Sequence, residues 1–298
     1  MSIHLGIAPI AWTNDDLPAL GGDTPLEVCL SEARQAGFSG VEKGNKFPSD
    51  ASVLAPIMQA HDLRLVSGWF SGKLLEGSID DEKNRVASQL ALFQAMGCPV
   101  IVYAETSRDV HGTQSIPISQ RPQISGDEMT RYGEKLTQFA EWLAAQGCPL
   151  VFHHHMGTII ETEAEVDALM AATGEAVGLL YDTCHMHFAG GQVLATLKRH
   201  IARVAHVHFK DVRGPVLAQV RAQDMSFLDA VLAGVFTVPG DGEIDFAGVA
   251  QVLVKAGYEG WVVVEAEQDP AKANPADYAR MGHAHTAKVL TQAGATVE

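Results

Sequence analysis

Imidazole and carboxylate side chains gather in four short stretches of this 298-residue sequence. The stretches are residues 153–155, 182–187, 206–211 and 265–269, and the first three hold seven of the 13 histidines. Each stretch follows or ends an apolar, β-prone run. Mixed nitrogen and oxygen donors of this kind suit Mn²⁺, Co²⁺, Fe²⁺ or Zn²⁺ better than Ca²⁺, which prefers oxygen ligands. The sequence therefore predicts a divalent-metal centre assembled from several segments.

The alternation of side chains along a β-strand indicates which of these groups can converge. Residues two apart on a strand point to the same face. The pairs that meet this condition are His153 with His155, His206 with His208, and Glu265 with Glu267. Asp182 and His185 can reach the same centre from a junction between strand and loop. A single strand histidine is more often a hydrogen-bonded core residue than a ligand, but three independent strand ends together favour a metal site.

The segments between these stretches alternate between strands and helices. Strands are predicted at residues 3–10, 40–42, 64–69, 100–105, 150–155, 178–182, 204–210 and 261–265. Helices are predicted at residues 25–35, 80–96, 126–146, 163–172, 192–199, 246–255 and 278–292. Several helices stop at a glycine, such as Gly37, Gly97 or Gly257, and a strand follows within a few residues.

Eight such strand–helix units predict an α/β fold, the (β/α)8 TIM barrel, in which catalytic groups lie at the carboxyl ends of the strands. An open dinucleotide-binding sheet is disfavoured because no G-x-G-x-x-G motif follows the first strand. We expect one domain over residues 1–298, with an insertion after the seventh strand at about residues 213–242.

Composition and charge narrow the class of protein further. There are 21 Lys and Arg against 36 Asp and Glu, a formal net charge of −15, which argues against a nucleic-acid partner. The amino-terminal residues lack the features of a signal peptide, and apolar runs are too short to span a membrane. The four widely spaced cysteines are typical of reduced thiols, so we expect a cytoplasmic protein. The sequence does not decide between a monomer and a homo-oligomer.

Several motifs resemble those of a known family. They are WTNDDLP at residues 12–18, GNKFP at 44–48, HHHMGT at 153–158, SFLDAVLAGVF at 226–236, VPGDG at 238–242 and VEAEQDP at 264–270. Together with the order Asp182, His185, His208 and Glu265, they resemble the inosose dehydratases of the xylose-isomerase-like TIM-barrel superfamily. The similarity extends over nearly the whole chain. It implies a metal-dependent carbon–oxygen hydro-lyase of inositol catabolism that converts 2-keto-myo-inositol (scyllo-inosose) to a trihydroxycyclohexane-1,2-dione.

The resemblance also implies a ligand set and a metal. In the superfamily Glu, Asp, His and Glu from strands five to eight bind the cation, and Asp182, His208 and Glu265 match the last three positions. His153 stands where the superfamily usually has glutamate, and His155 or a water molecule is the alternative fourth ligand. We expect Mn²⁺ or Co²⁺ as the cofactor and a small polyol or keto-inositol as the substrate.

The implied chemistry is removal of a proton next to a ketone, followed by loss of a β-hydroxyl group. The candidate acid and base groups are His155, His185, Lys210 and Glu267, with a strand-five histidine as the base and His185 or Lys210 as the acid. Contacts with the polyhydroxylated ring are expected from Trp12, Glu42, Asn45, Lys46, Trp69 and Arg213.

Two other functions use similar features. A divalent-metal sugar isomerase or ketose epimerase of the same superfamily would abstract a proton and return it instead of expelling water. A non-catalytic metal- or polyol-binding barrel would bind the ring without turnover, although the density of acid and base groups at one face argues against it. The endonuclease branch of the superfamily is disfavoured by the charge of −15.

Overall fold

The computed structural model describes residues 2–298. Its strands are β1 (Ser2–Ile7), β2 (Gly40–Lys43), β3 (Arg64–Gly72), β4 (Ile101–Glu105), β5 (Leu150–His153), β6 (Gly178–Asp182), β7 (Val204–Phe209), β8 (Asp211–Val212), β9 (Phe236–Thr237), β10 (Gly260–Val264) and β11 (Thr296–Val297). Its α-helices are α1 (Leu26–Ala36), α2 (Ala51–Ala60), α3 (Ile79–Met96), α4 (Gly126–Ala145), α5 (Glu163–Ala172), α6 (Thr183–Phe188), α7 (Val193–His200), α8 (Gly214–Ala222), α9 (Phe227–Ala233), α10 (Phe246–Lys255) and α11 (Pro275–Ala293). Short 3₁₀ turns occupy Pro9–Ala11, Ile118–Gln120 and Ile201–Arg203.

Eight parallel strands close into a barrel, as the sequence predicts. Each of β1 to β6 pairs with the next strand, β7 pairs with β10, and β10 pairs back with β1. The register of β6 and β7 sets Asp182 opposite His208 at the carboxyl ends of the two strands. Closure thus brings chemical groups that are distant in sequence to one end of the barrel.

The core of the barrel follows from the apolar runs of the strands. Residues such as Leu5, Val41, Ile101 and Leu179 are almost fully buried. Strands of a parallel barrel are covered on both faces, which explains why they form nearly continuous apolar runs in the sequence. The four cysteines are free and buried, as expected.

Several elements differ from the expected boundaries. The fifth strand stops at His153, so His155 lies in the following loop and not on the strand. Helix α2 has a proline, Pro56, in its interior, and α6 has six residues, so neither gives a strong helical pattern. The predicted helices 163–172 and 246–255 have the observed bounds.

The segment after β7 forms a separate layer over the carboxyl ends of the strands. Strands β8 and β9 pair antiparallel, and α8 and α9 lie between them in the chain. Phe227 and Phe236 from this segment pack with Met156 and Phe188, which follow β5 and β6. The inserted segment therefore covers the side of the barrel mouth that the loops after β5 and β6 form.

Within residues 2–298, none of the helices combines the length and apolar character that crossing a bilayer requires.

Candidate active site

A cavity of about 230 Å³ lies at the carboxyl ends of the barrel strands. Side chains of the predicted site line it together with residues from the loops after β1 and β4. The lining includes Asp15, Asp16, Glu42, Lys43, Asn45, Trp69, Ser71, His111, His153, His155, His208, Glu265 and Glu267. Such a small, polar and partly enclosed space suits a small polar molecule.

Four residues, three of which line the cavity, offer ligand atoms to one point. They are His153, Asp182, His208 and Glu265, all buried, with the ligand atoms within 4.8 Å of one another. Nδ1 of His208 lies 3.5 Å from Oδ2 of Asp182 and 3.4 Å from Oε2 of Glu265. Nε2 of His153 lies 3.9 Å from the same Asp182 oxygen. These are the four residues that the sequence suggests as metal ligands.

Three of these ligand atoms are buried without a hydrogen-bond partner. They are Oδ2 of Asp182, Nδ1 of His208 and Oε2 of Glu265. A buried polar atom without a partner is costly, and three such atoms converging on one point are what a divalent cation satisfies. The donor set, two imidazoles and two carboxylates, therefore fits a transition-metal ion.

Neighbouring groups fix the histidines of this cluster. Nδ1 of His153 donates to the backbone carbonyl of His154 at 2.6 Å, which leaves Nε2 with a free lone pair. Nε2 of His208 lies 3.0 Å from Oε1 of Glu42, so Nδ1 faces the cluster. Glu42 is itself held by the hydroxyl group of Ser67 and by Nε2 of His206 at 3.3 Å. Such outer contacts set the orientation of metal-binding imidazoles.

The electrostatics of the cluster favour ionised carboxylates. Burial works against the charge of Asp182, but His208 and Lys210 outweigh it and lower the pKa of this carboxyl to about 2. Burial likewise opposes the charge of Glu42, yet the two neighbouring imidazoles hold its pKa well below the usual range. Anionic ligands are the form that binds a cation.

A second group of buried residues adjoins the metal cluster. His155, His185 and Glu267 have ligand atoms within 4.8 Å of one another. The Lys210 ammonium lies in the same group, 2.5 Å from Oε2 of Glu267 and 3.5 Å from Nε2 of His185. Because this ammonium is hydrogen-bonded to Glu267 and already neutralises that carboxylate, the group is less suited to a cation than the first cluster.

The two histidines of the second group are held neutral. Nδ1 of His155 donates to the Met156 carbonyl at 2.8 Å, which leaves Nε2 as a lone-pair acceptor. Nδ1 of His185 accepts from the Met156 N–H at 3.3 Å. Burial, together with nearby cationic groups, keeps the pKa values of both imidazoles well below the usual range. Of these two residues, only His155 lines the cavity.

Glu267 and Lys210 form a buried ion pair at the edge of the cavity. Burial raises the pKa of Glu267 to about 7, although Lys210 opposes this shift. Burial alone would lower the pKa of Lys210, but Glu265 and Glu267 raise it. The lysine is therefore a fixed positive charge that orients both carboxylates, and Glu267 lines the cavity while Lys210 lies behind it.

The residues expected to contact substrate fall into two sets. Glu42, Asn45 and Trp69 line the cavity, and the Trp69 ring lies 5.7 Å from His153 and 5.3 Å from His155. Trp12, Lys46 and Arg213 do not line it.

The side chains of Trp12, Lys46 and Arg213 make contacts within the protein. Trp12 is buried and donates to Glu32 at 2.6 Å, and Lys46 binds the carbonyls of Gly22 and Thr24. Arg213 ties the inserted segment together through Asp241, Thr237 and backbone carbonyls. These three side chains therefore have structural contacts outside the cavity lining, and their contact with substrate stays a prediction.

Some cavity residues were not expected from the sequence. His111 comes from the long loop after β4, and Asp15 and Asp16 from the loop after β1. Ser71 lies within β3, which extends past the predicted end of that strand. A histidine in a loop that follows a barrel strand is the signal that could have identified His111.

The fold and the buried donor set define a barrel enzyme of a known class. Residues 30–289 match the family model described as xylose isomerase-like TIM barrel. The chain belongs to this family.

Curated relatives resemble the chain over nearly its full length. A rhizopine catabolism protein, MocC of Rhizobium meliloti, is 52% identical over 99% of this chain and 90% of its own length. An inosose dehydratase of Geobacillus thermodenitrificans is 46% identical over 93% of this chain and 94% of its own. The dehydratase names among the relatives support an enzyme of the hydro-lyase class, as the sequence predicts.

Solved structures share the fold at low identity. The IOLI protein, whose crystal structure contains a bound zinc atom, superposes with a TM-score of 0.70 at 16% identity. The match covers 97% of this chain and 99% of that protein. At this identity the similarity shows the barrel fold alone.

Proposed function

We propose that the protein eliminates water from scyllo-inosose (2-keto-myo-inositol) to give a trihydroxycyclohexane-1,2-dione, as a step of inositol catabolism that depends on Mn²⁺ or Co²⁺. The observation that carries this proposal is the combination of three unpartnered, buried donor atoms with a neutral histidine beside them. Relatives named inosose dehydratase at 42–46% identity support the choice of substrate.

His153, Asp182, His208 and Glu265 would hold the cation. A divalent cation at this position supplies Lewis-acid polarisation of the substrate ketone, which is worth several kcal/mol to proton removal next to it. Glu42 contributes by keeping His208 turned toward the cluster. The proposed ligand set uses His153 and not His155, because Nε2 of His153 approaches Asp182 while His155 belongs to the second group.

His155 is the proposed base. Its Nδ1 proton is committed to the Met156 carbonyl, so Nε2 can accept the proton from the carbon next to the ketone. The Trp69 ring, 5.3 Å from the His155 ring, forms an apolar wall against which a carbocycle can lie. Asn45 and Glu42 also line the cavity and would provide polar contacts for the ring hydroxyls.

Lys210 and His185 support the base from behind the cavity wall. Lys210 fixes Glu267 at 2.5 Å and approaches Glu265 at 3.4 Å. The His185 ring lies 4.0 Å from the ring of His155 and helps to hold it in place. We therefore propose positioning roles for both residues and proton removal at the cavity for His155, with Glu267 as a further acid–base group of the lining.

The test is an assay with scyllo-inosose after complete chelation and after re-addition of Mn²⁺ or Co²⁺. We expect diketone absorbance to be lost on chelation and restored by the metal. An unchanged rate without metal would overturn the metal dependence. Deuterium entering the recovered ketone without any water loss would identify an isomerase or epimerase instead.

The ligand set has its own test. His208→Ala should lose stoichiometric metal, measured by elemental analysis. His200→Ala is the matched control, because His200 pairs with Asp167 at 2.6 Å on the outer helices and should leave the metal content unchanged. A His208→Ala protein that retains one metal per chain would contradict the assignment.

A further inference from the structure

The loop between β4 and α4 brings one imidazole into the cavity that neither buried cluster uses. His111 lines the cavity, and its side chain is 10% exposed. Its Nδ1 lies 2.6 Å from Oδ2 of Asp109. Its Nε2 lies 3.8 Å from Oδ1 of Asp16, which also lines the cavity. A carboxylate thus stands beside each nitrogen of the ring.

This environment favours the protonated imidazole. Burial alone would lower the pKa of His111, but Asp109 and Asp16 outweigh it and raise the pKa above the usual value. His155 has the opposite surroundings, because a backbone carbonyl takes its Nδ1 proton and leaves Nε2 as an acceptor. Two histidines whose surroundings favour opposite protonation states form a typical acid and base pair.

The two rings stand on one wall of the cavity. Their centroids are 5.1 Å apart, and both contact Trp69, at 5.9 Å from His111 and 5.3 Å from His155. A carbocycle lying against this wall presents the same face to both histidines. The pair can therefore act on two neighbouring ring carbons from one side.

The stereochemistry of the proposed substrate requires this arrangement. In scyllo-inosose each hydroxyl group is trans to the hydroxyl groups on the adjacent carbons. The hydrogen next to the ketone and the hydroxyl on the following carbon therefore lie on the same face of the ring. Elimination must be syn, so acid and base have to stand on one side of the substrate.

We propose that His111 is the general acid of the elimination and donates its Nε2 proton to the departing hydroxyl on the face where His155 removes the α-proton. The inference rests on the proposed dehydratase function. Nε2 of His155 takes the proton, and the C–H electron pair forms the enolate. That pair then makes the carbon–carbon double bond as the C–O bond breaks, and the oxygen leaves as water with the proton from His111. The resulting enol tautomerises to the dione, and solvent resets both histidines.

Other acidic groups are less well placed for this role. His185 and Lys210 lie behind the cavity wall, and Lys210 is engaged with Glu267 at 2.5 Å. Glu267 lines the cavity and is the main rival donor. The experiment below separates it from His111.

The decisive experiment compares two rates in the Mn²⁺-loaded full-length enzyme and in its His111→Asn variant. One is water loss from scyllo-inosose, and the other is deuterium uptake from D2O into recovered inosose, read by mass spectrometry. We expect water loss to fall by about 10²- to 10⁴-fold in the variant. Deuterium uptake should stay within a few-fold, because His155 is intact. His155→Asn should lose both.

A substrate analogue with fluorine in place of the β-hydroxyl isolates the acid step, because fluoride departs without a proton. The His111→Asn variant should process this analogue within about tenfold of the wild type. A His111→Asn variant that is equally impaired on both substrates would overturn the acid role. A variant that eliminates water from scyllo-inosose at the wild-type rate would overturn it as well. Water loss that falls selectively in Glu267→Gln would assign the acid to Glu267.

Two controls make the outcomes separable. His187→Asn removes a histidine that pairs with Glu243 at 2.8 Å outside the cavity, and it should leave both rates unchanged. The melting temperature and metal content of His111→Asn show whether it is folded and loaded. If His111→Asn is not folded and loaded, the Asp109→Asn variant takes its place. Its rate of water elimination should fall, whereas its rate of deuterium uptake should not. A wild type that neither dehydrates inosose nor exchanges its proton would refute the proposed function itself.

Discussion

At the scale of single residues, the contact of one ring nitrogen decides what the other nitrogen of a histidine can do. In His153 and His155 a backbone carbonyl takes Nδ1–H and frees Nε2. In His208 Glu42 holds Nε2 and turns Nδ1 toward the metal cluster. In His111 a carboxylate beside each nitrogen favours the cation. One residue type would thus provide the proposed ligands, base and acid within one cavity.

Glu161 gives a residue-scale prediction about pH. Its carboxylate accepts from the Gly157 N–H at 2.8 Å and holds the turn that follows His155. Burial raises the pKa of Glu161 to about 7, although Arg121 opposes the shift. The folded protein thus binds this proton more tightly than the unfolded chain does. Its contribution to stability is complete below the unfolded pKa, near 4.5, and is lost as the pH rises through 7.

The measurement compares free energies of unfolding by denaturant at pH 5 and pH 8. In the wild type the free energy of unfolding should fall between pH 5 and pH 8. In Glu161→Gln this decrease should be smaller, by about 3 kcal/mol at most. Glu134→Gln, on the exposed face of α4, is the control and should keep the wild-type slope. Equal pH slopes for the wild type and Glu161→Gln would contradict the raised pKa.

At the scale of elements, the loop between β4 and α4 is fixed from two sides. Val110 N donates to the Gly157 carbonyl at 2.9 Å, which joins the loop to the turn after β5. Ile118 N donates to the Met225 carbonyl at 3.2 Å, and Ser119 bonds Asp224 at 2.6 Å, which joins it to the inserted segment. These contacts position His111 although it lies on no helix or strand.

Gly157 is the point where two of these loops touch. Its φ is +78°, and a Cβ there would lie 2.9 Å from the backbone nitrogen of His111. Gly157→Ala should therefore push the His111 loop outward, and kcat should fall by ten- to a hundredfold with the metal content unchanged. Gly147→Ala is the control, because Gly147 has φ +77° but open space around its Cα. Equal kcat values for the two variants would show that the loop contact does not matter.

Sequence patterns predict the barrel because its signals are local. Strand and helix periods alternate, and helices stop at left-handed glycines such as Gly37, which has φ +109°. The alternation rule also brought His153 and His208, which lie on strands, to one centre. It does not apply to His155 and Glu265, since β5 and β10 end before these residues.

The remaining parts of the site depend on contacts between distant segments. His111 faces the cavity because its loop is held by residues more than 40 positions away, such as Gly157. Trp12 and Lys46 have side chains that suit a sugar, but Glu32 and the carbonyls of Gly22 and Thr24 bind them instead. Residue type alone does not reveal such competing partners.

At the scale of the whole molecule, the closed barrel concentrates negative charge that the chain as a whole already carries in excess. Asp182, Glu265 and Glu267 are buried within reach of Lys210, and the formal net charge is −15. The proposed ligands come from β5, β6, the end of β7 and the segment after β10. A cation bound there would cross-link half of the barrel while neutralising two buried carboxylates.

This arrangement predicts that metal binding stabilises the fold. At a free concentration of 100 times the Kd, a ligand that binds the folded state alone adds about 2.7 kcal/mol. For a chain of 298 residues that corresponds to a rise in Tm of about 4 °C. Calorimetry of the chelated protein, with and without Mn²⁺ or Co²⁺, measures the rise without reference to activity. The metal-dependent rise in Tm should disappear in Asp182→Asn, because this variant removes a ligand. It should remain in Asp127→Asn, because Asp127 is exposed and distant from the cluster in sequence. Equal increments in the two variants would mean that the cation stabilises the protein from a different site.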